Sequence, residues 1–155
     1  MALGRLRLIR TAMGILLSPA LIVLGWSLTI HGTLAPPVDW LMNAIIAYPS
    51  FFCLMWVSYW VLKVAGKDVI WAHALLVFIL SFGLSLANNF HAYGIYGEFV
   101  IGEIQIVKDS QITFEGGVQL IEWSIRDGVL YALAFLIYRT ICGTIMQTRN
   151  ERKNI

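Results

Sequence analysis

Long apolar runs alternate with short polar segments along this chain. Three of the runs cover residues 11–30, 43–62 and 69–87. Each is close to the roughly 20 residues that a helix needs to cross about 30 Å of hydrocarbon at 1.5 Å per residue. The pattern therefore predicts three transmembrane helices.

A fourth run, at about residues 124–146, is apolar but interrupted by Arg126, Asp127 and Arg139. We predict a fourth span here, with Arg139 extending to the lipid headgroups and the first turns of the helix standing outside the hydrocarbon. The alternative leaves Glu122, Arg126 and Asp127 inside the bilayer as a buried ion cluster. That arrangement is costly, because each charge at the bilayer centre costs at least about 2.5 kcal/mol.

The long polar segment, at about residues 88–123, has the alternating pattern of strands. Apolar and polar side chains alternate over Phe99–Val107 and Gln111–Phe114, and Lys108-Asp109-Ser110 separates the two runs. Two alternating runs around a polar turn predict a β-hairpin. An isolated hairpin is only marginally stable in water, so it needs a partner surface.

Two consecutive glycines follow the hairpin. We predict that Glu115-Gly116-Gly117 ends the second strand, since glycines punctuate regular structure. Residues 118–127 have the pattern of an amphipathic helix and are expected to continue directly into the fourth span.

The first two spans contain residues that affect helix packing. Gly14 and Ser18 are four residues apart, a spacing of small residues that lets another helix approach closely. Pro19 removes a backbone hydrogen bond, and a neighbouring hydroxyl can satisfy the freed carbonyl; the second span contains Pro49.

Composition supports lipid as the solvent. The chain is 59% hydrophobic and 13% charged, with a mean hydropathy of +0.75. Soluble domains are about 45–50% apolar, and a chain of this size could not bury so large an excess in a core of its own. We therefore predict an all-α membrane protein with four transmembrane helices, forming one polytopic domain over residues 1–155.

The distribution of basic residues predicts the orientation. If both termini are cytoplasmic, two of the 11 lysines and arginines, Lys108 and Arg126, lie outside. The other nine lie inside: Arg5, Arg7, Arg10, Lys63, Lys67, Arg139, Arg149, Arg152 and Lys153. This excess follows the positive-inside rule, and the hairpin is accordingly expected outside the cytoplasm. The net charge of +2 averages two opposite faces, so no direct nucleic-acid contact is expected.

The third span carries a polar stripe. A rotation of about 100° per residue places His73, Ser81, Ser85 and Asn88 within a sector of roughly 120°. Such a stripe is expected to face other helices or a water-filled cleft. His73 is either a hydrogen-bonding partner for a neighbouring helix or a functional ionisable group, and the sequence leaves both interpretations open.

Candidate cofactor chemistry is sparse. The two cysteines, Cys53 and Cys142, form no C-x-x-C motif, and the chain has no H-E-x-x-H, P-loop or G-x-S-x-G motif. We expect no cofactor. In the alternative, His31 and His91 are the axial ligands of a haem b.

The sequence therefore favours a non-catalytic membrane subunit over an enzyme. We expect it to oligomerise and to act as a membrane anchor or sensor that couples an outside contact to a cytosolic protein partner, as in an envelope-stress, immunity or phage-defence module. The alternatives are a haem- or quinone-binding electron-transfer subunit and a small channel or transporter.

Two sets of contact residues belong to this expectation. The extracytoplasmic contact residues are Glu98, Glu103, Lys108, Asp109, Phe114 and Glu115. The cytoplasmic contact residues are Lys63, Lys67, Arg139, Arg149, Arg152 and Lys153. The expected location is the inner or plasma membrane.

Overall fold

The computed structural model describes residues 2–31, 37–66, 69–95, 98–101 and 103–151. Its helices are α1 (Ala2–His31), α2 (Pro37–Val64), α3 (Ile70–Gly94) and α4 (Phe114–Glu151). Its strands are β1 (Phe99–Ile101), β2 (Ile104–Lys108) and β3 (Gln111–Ile112), which form one antiparallel sheet in that order.

Three of the described helices are long and apolar enough to cross a membrane. The apolar segments are Leu8–Leu28, Trp40–Val64 and Ile70–Gly94, with mean hydropathies of 1.9, 1.6 and 2.1. They coincide with the three clean runs of the sequence, so the prediction of three spans is confirmed at the level of length and composition. Helix α3 continues to Gly94, beyond the predicted end of the span at residue 87. Helix α4 is less apolar than the other three.

The chain divides into two compact units. The first comprises residues 1–77 and 130–155, and the second comprises residues 78–129. Helices α3 and α4 each contribute one part to each unit.

In the first unit, small residues of α1 let α4 approach closely. A Cβ atom added at Gly14 would lie 2.6 Å from Cys142 Sγ, and one added at Gly25 would lie 2.6 Å from a methyl group of Leu130. Ser18, one turn after Gly14, is completely buried. The close approach predicted from the spacing of Gly14 and Ser18 is therefore present.

In this unit, side-chain hydroxyls donate to backbone carbonyls close to Pro19 of α1 and Pro49 of α2. Tyr48 of α2 donates to the carbonyl oxygen of Leu16 at 2.6 Å, one residue beyond the carbonyl that Pro19 leaves without a donor. Next to Pro49, Ser50 donates to the carbonyl of Ile46 at 2.7 Å, and its oxygen lies 2.5 Å from the hydroxyl oxygen of Tyr131 in α4. Hydroxyls therefore lie close to both prolines, but each bonds the carbonyl one residue after the freed one.

The second unit contains the sheet, packed on the first turns of α4. Ile106 and Val107 of β2 and Leu120 of α4 are completely buried, and aromatic rings such as Tyr93 and Trp123 pack around them. Tyr93 contacts both Phe99, with ring centroids 4.9 Å apart, and Trp123, with centroids 6.0 Å apart. The sheet thus has a hydrophobic core that a lone hairpin would lack.

The prediction of a two-stranded hairpin was wrong, because this segment forms a sheet of three strands. The run Phe99–Val107 forms two strands that pair with each other, with Ile101 opposite Ile104. Gly102, which lies outside the described residues, interrupts this run, and glycine weakens a strand interior because it offers no side chain to pack. The result is three strands in place of two.

The second turn is also shorter than predicted. Lys108 belongs to β2 and pairs with Gln111, which leaves a two-residue turn at Asp109 and Ser110. Both have positive φ angles, 50° and 61°, as two-residue hairpin turns require. Asp tolerates this conformation better than most residues because its side chain can hydrogen-bond locally.

The glycines begin a helix and do not precede one. Helix α4 starts at Phe114, and Gly116 and Gly117 lie in its first turn. The Thr113 hydroxyl accepts a hydrogen bond from the Gly116 N–H at 2.9 Å, which is the geometry of a helix N-cap. Gly116 also lies against the backbone of Ile106, where an added Cβ would be 2.7 Å from the Cα atom. A glycine here therefore permits close packing of sheet and helix, while the prediction of one continuous helix after it is confirmed.

Candidate functional site

The first unit contains a cavity of about 220 Å³. Helix α2 supplies Met55, Trp56 and Tyr59 to its wall, α3 supplies His73, and α4 supplies Phe135, Tyr138 and Arg139. Most of these side chains are aromatic, and none is acidic. The cavity is thus an apolar site with a few polar groups and a positive charge.

His73 is the most constrained polar group of the wall. Its side chain is 4% exposed, and Nδ1 lies 2.9 Å from Ser58 Oγ of α2. Its ring lies between those of Tyr59 and Phe135, at centroid distances of 6.4 and 5.9 Å and interplanar angles of 17° and 23°. His73 therefore makes the interhelical hydrogen bond expected of a packed residue, and the same ring faces a cavity.

Two cations accompany the aromatic wall. Arg139 lines the cavity, and within the described residues it makes no ion pair. Lys63 Nζ lies 5.8 Å from the ring centroid of Tyr59, within the range of a cation–π contact. The potential around the cavity is accordingly positive.

Exposed indoles surround the same helix ends. Trp56, Trp60 and Trp71 are 68%, 61% and 69% exposed. Tryptophan concentrates at membrane–water interfaces, where its ring meets lipid and its N–H meets water.

The second unit contains a polar cluster between α3 and α4. Ser85 donates to Asp127 Oδ2 at 2.6 Å. Asn89 Nδ2 lies 3.4 Å from Ser85 Oγ and 3.2 Å from Ser124 Oγ. Arg126 lies 3.7 Å from Asp127, and their side chains are 29% and 15% exposed. Two charges of the predicted ion-cluster alternative are thus largely covered and partnered.

The members of the predicted polar stripe have different environments. Ser85 belongs to the cluster, and Ser81 is buried with its hydroxyl donated to the Phe78 carbonyl at 3.1 Å. Asn88 is exposed, and Asn89 occupies the cluster instead. Position 89 is one full turn after Ser85, so it lies more closely above that residue than position 88 does.

The predicted extracytoplasmic contact residues are all exposed. Phe114 is 88% exposed, and the exposed charged members are Glu98, Glu103, Lys108, Asp109 and Glu115. Of the predicted cytoplasmic contacts, Lys63 is exposed and Arg139 is partly buried. The side chains of Lys67, Arg149, Arg152 and Lys153 lie outside the described residues.

The structure gives no distance between the imidazoles of His31 and His91, so it does not test the haem alternative. His91 is exposed near the end of α3, and the side chain of His31, the last residue of α1, lies outside the described residues. Haem ligation by this pair stays a prediction.

Sequence reasoning singled out His73 and Arg139 but did not predict that they line one cavity. Ser58 and Phe135 contact His73 from other helices, and no local pattern signals such tertiary contacts. One signal was present: Tyr138 and Arg139 are a tyrosine and an arginine within an apolar run, a combination typical of interfacial depth.

The helices and the aromatic, cationic site together indicate a membrane protein. Comparison of the chain with protein-family models, with curated proteins and with solved structures finds no match. Function is therefore argued from the chain's own geometry.

Proposed function

We propose that the protein is a non-catalytic subunit of the inner or plasma membrane that self-associates and couples a contact outside the cytoplasm to a cytosolic partner. Each of the four helices crosses once, and both termini are cytoplasmic. Envelope-stress, immunity and phage-defence modules are settings that use such an anchor or sensor.

The length of α4 supports a fourth crossing. The helix has 38 residues, which is about 57 Å at 1.5 Å per residue and exceeds the roughly 30 Å of hydrocarbon. From Gly128 to Thr148, Arg139 is its only charged residue. Arg139 lies near the middle of this stretch, so a crossing here requires its guanidinium to extend to the headgroups or to meet an anionic group.

The open sheet supports placement of strands β1, β2 and β3 in water. Within the described part of the chain, strands β1 and β3 are the edges of the sheet, and no further strand pairs with the backbone groups on their outer sides. Lipid cannot satisfy such groups, so open sheet edges do not occur exposed to hydrocarbon. A position of the sheet outside the cytoplasm agrees with the distribution of basic residues along the chain.

The single observation that carries self-association is the outer edge of β1. Val100 and Ile101 of this strand are 56% and 38% exposed. An edge strand with unpaired backbone groups and exposed apolar side chains is a template for pairing with another chain. A second copy of the same strand is the simplest partner, because closed two-fold contacts are the commonest in oligomers.

The test is Val100→Lys, which places a charge on the edge strand. The matched control is Val118→Lys on α4, since Val118 is 52% exposed and lies in the same unit. Mass photometry of the protein in nanodiscs should show an oligomer for the unmodified protein and for Val118→Lys, and a monomer for Val100→Lys. A monomeric unmodified protein, or an oligomer unchanged by Val100→Lys, would refute self-association through β1.

A second measurement tests the anchor role. The protein is purified gently from its native host through a tag on its C-terminal end, and co-purifying proteins are identified while an absorption spectrum is recorded. A colourless sample with a stoichiometric soluble partner is the expected result. A Soret band that is lost in both His31→Ala and His91→Ala would contradict it and favour the electron-transfer alternative.

A further inference from the structure

The aromatic cavity beside His73 has the composition of a binding site for an anionic lipid. We infer that it binds the phosphate headgroup of a phospholipid through Arg139, with Lys63 at its edge and Trp56 and Tyr59 against the glycerol and upper acyl chain. This inference goes beyond the partner proposed above and requires only that the protein lies in a bilayer.

The depth of the cavity fits a headgroup. Tyr59 and Trp56 precede the end of α2 at Val64 by five and eight residues, or about 8 and 12 Å along the axis. His73 follows the start of α3 at Ile70 by three residues, or about 5 Å. With the helix ends at the membrane surface, Tyr59 and His73 lie near the boundary between headgroups and acyl chains, where Trp and Tyr are enriched, and Trp56 lies deeper, beside the acyl chains.

The charges favour an anion over a neutral amphiphile. Arg139 contributes a guanidinium to the wall, and none of the described residues that line the cavity is acidic. Arginine binds phosphate with a planar fork of donors and is less strongly hydrated than lysine, so it suits a partly buried anion site. A neutral ligand would leave this guanidinium without a counter-charge among the described residues.

The aromatic side chains supply the apolar half of the site. Trp56 and Tyr59 are 68% and 52% exposed, so an acyl chain can lie along them without displacing core residues. The cation–π contact holds Lys63 beside Tyr59, so a second positive charge lies close to one residue of the cavity wall. A cavity of about 220 Å³ is too small for a whole lipid, and it fits a headgroup whose chains remain in the bilayer.

The experiment is native mass spectrometry of the full-length protein in a neutral detergent. The probes are dioctanoyl phosphatidylglycerol and dioctanoyl phosphatidylcholine, with glycerol phosphate as the headgroup without chains. A positive charge near anionic lipid contributes about 1 kcal/mol, or about fivefold in affinity. The unmodified protein should therefore prefer phosphatidylglycerol by about fivefold or more, and glycerol phosphate should compete weakly.

Arg139→Gln should abolish this preference, and Arg139→Lys should keep most of it. The matched control is Lys108→Gln, which removes an exposed cation of the sheet and should leave the preference unchanged. Lys63→Gln, at an exposed position, should reduce it and provides an independent variant if Arg139→Gln does not fold.

Three results would overturn the inference. The first is equal binding of the two lipids by the unmodified protein. The second is a preference that survives both Arg139→Gln and Lys63→Gln. The third is full competition by glycerol phosphate or by an uncharged quinone, which would assign the cavity to a soluble anion or to a redox ligand.

Discussion

Gly116→Ala should loosen the sheet from helix α4, and its neighbour Gly117 provides the control. A methyl group at position 116 would overlap the carbonyl oxygen of Ile106 and lie 2.7 Å from its Cα atom. These are backbone atoms, so they cannot rotate away as a flexible side chain can. At position 117, the nearest atom to the same methyl group is a side-chain carbon of Ile112 at 4.0 Å, an ordinary contact.

The two substitutions should change the stability of the second unit in opposite directions. Overpacking costs about 1–3 kcal/mol, and replacing a helical glycine with alanine returns at most about 1 kcal/mol. Because the overlap involves backbone, Gly116→Ala should have a net cost of about 1–2 kcal/mol, a factor of 5–30 in local opening. Gly117→Ala should stabilise the unit by about 0.5–1 kcal/mol, since it gains helix propensity without an overlap.

Hydrogen exchange of the protein in nanodiscs measures this directly. The Thr113 N–H donates to the Ile106 carbonyl at 3.0 Å, so its exchange reports separation of the sheet from the start of α4. Exchange over residues 104–113 should accelerate about 5- to 30-fold in Gly116→Ala and slow in Gly117→Ala. Equal exchange in the two variants would show that the close approach at Gly116 does not stabilise the unit.

Two further substitutions test polar contacts of the same unit. Thr113→Ala should lower the free energy of unfolding by about 1 kcal/mol, because it removes the hydroxyl that caps the Gly116 N–H, and Thr113→Ser should lower it less. Thermal unfolding in detergent measures the difference between the two variants. Ser85→Ala should lower the free energy of unfolding by about 1.5–3 kcal/mol, because the Asp127 carboxylate loses a hydrogen bond. Asn88→Ala, at an exposed position, should change it by less than about 0.5 kcal/mol. Similar small changes in both variants would contradict a stabilising role of the polar cluster.

The sequence was sufficient for features that depend on composition over a long window. Three apolar runs predicted α1, α2 and α3, because a span needs only length and hydrophobicity. The continuity of α4 was also predicted, since its amphipathic start and its apolar part share one helical period.

Features that depend on contacts distant in sequence were not predictable. Gly116 resembles a helix breaker in a local window, yet it allows the backbone of Ile106 to approach α4. The Thr113 cap was a local signal that the paired glycines obscured. The cavity beside His73 takes its wall from three helices, so no single segment of the sequence could indicate it.

The hydroxyls beside the prolines have a mechanical consequence. A proline within a helix commonly acts as a hinge, because the missing hydrogen bond lets the two halves bend independently. Here Tyr48 ties α2 to α1 next to Pro19, and Ser50 with Tyr131 ties α2 to α4 next to Pro49. Each proline thus lies beside a hydrogen bond to a neighbouring helix, so the packing should restrict bending of α1 and α2 at these positions.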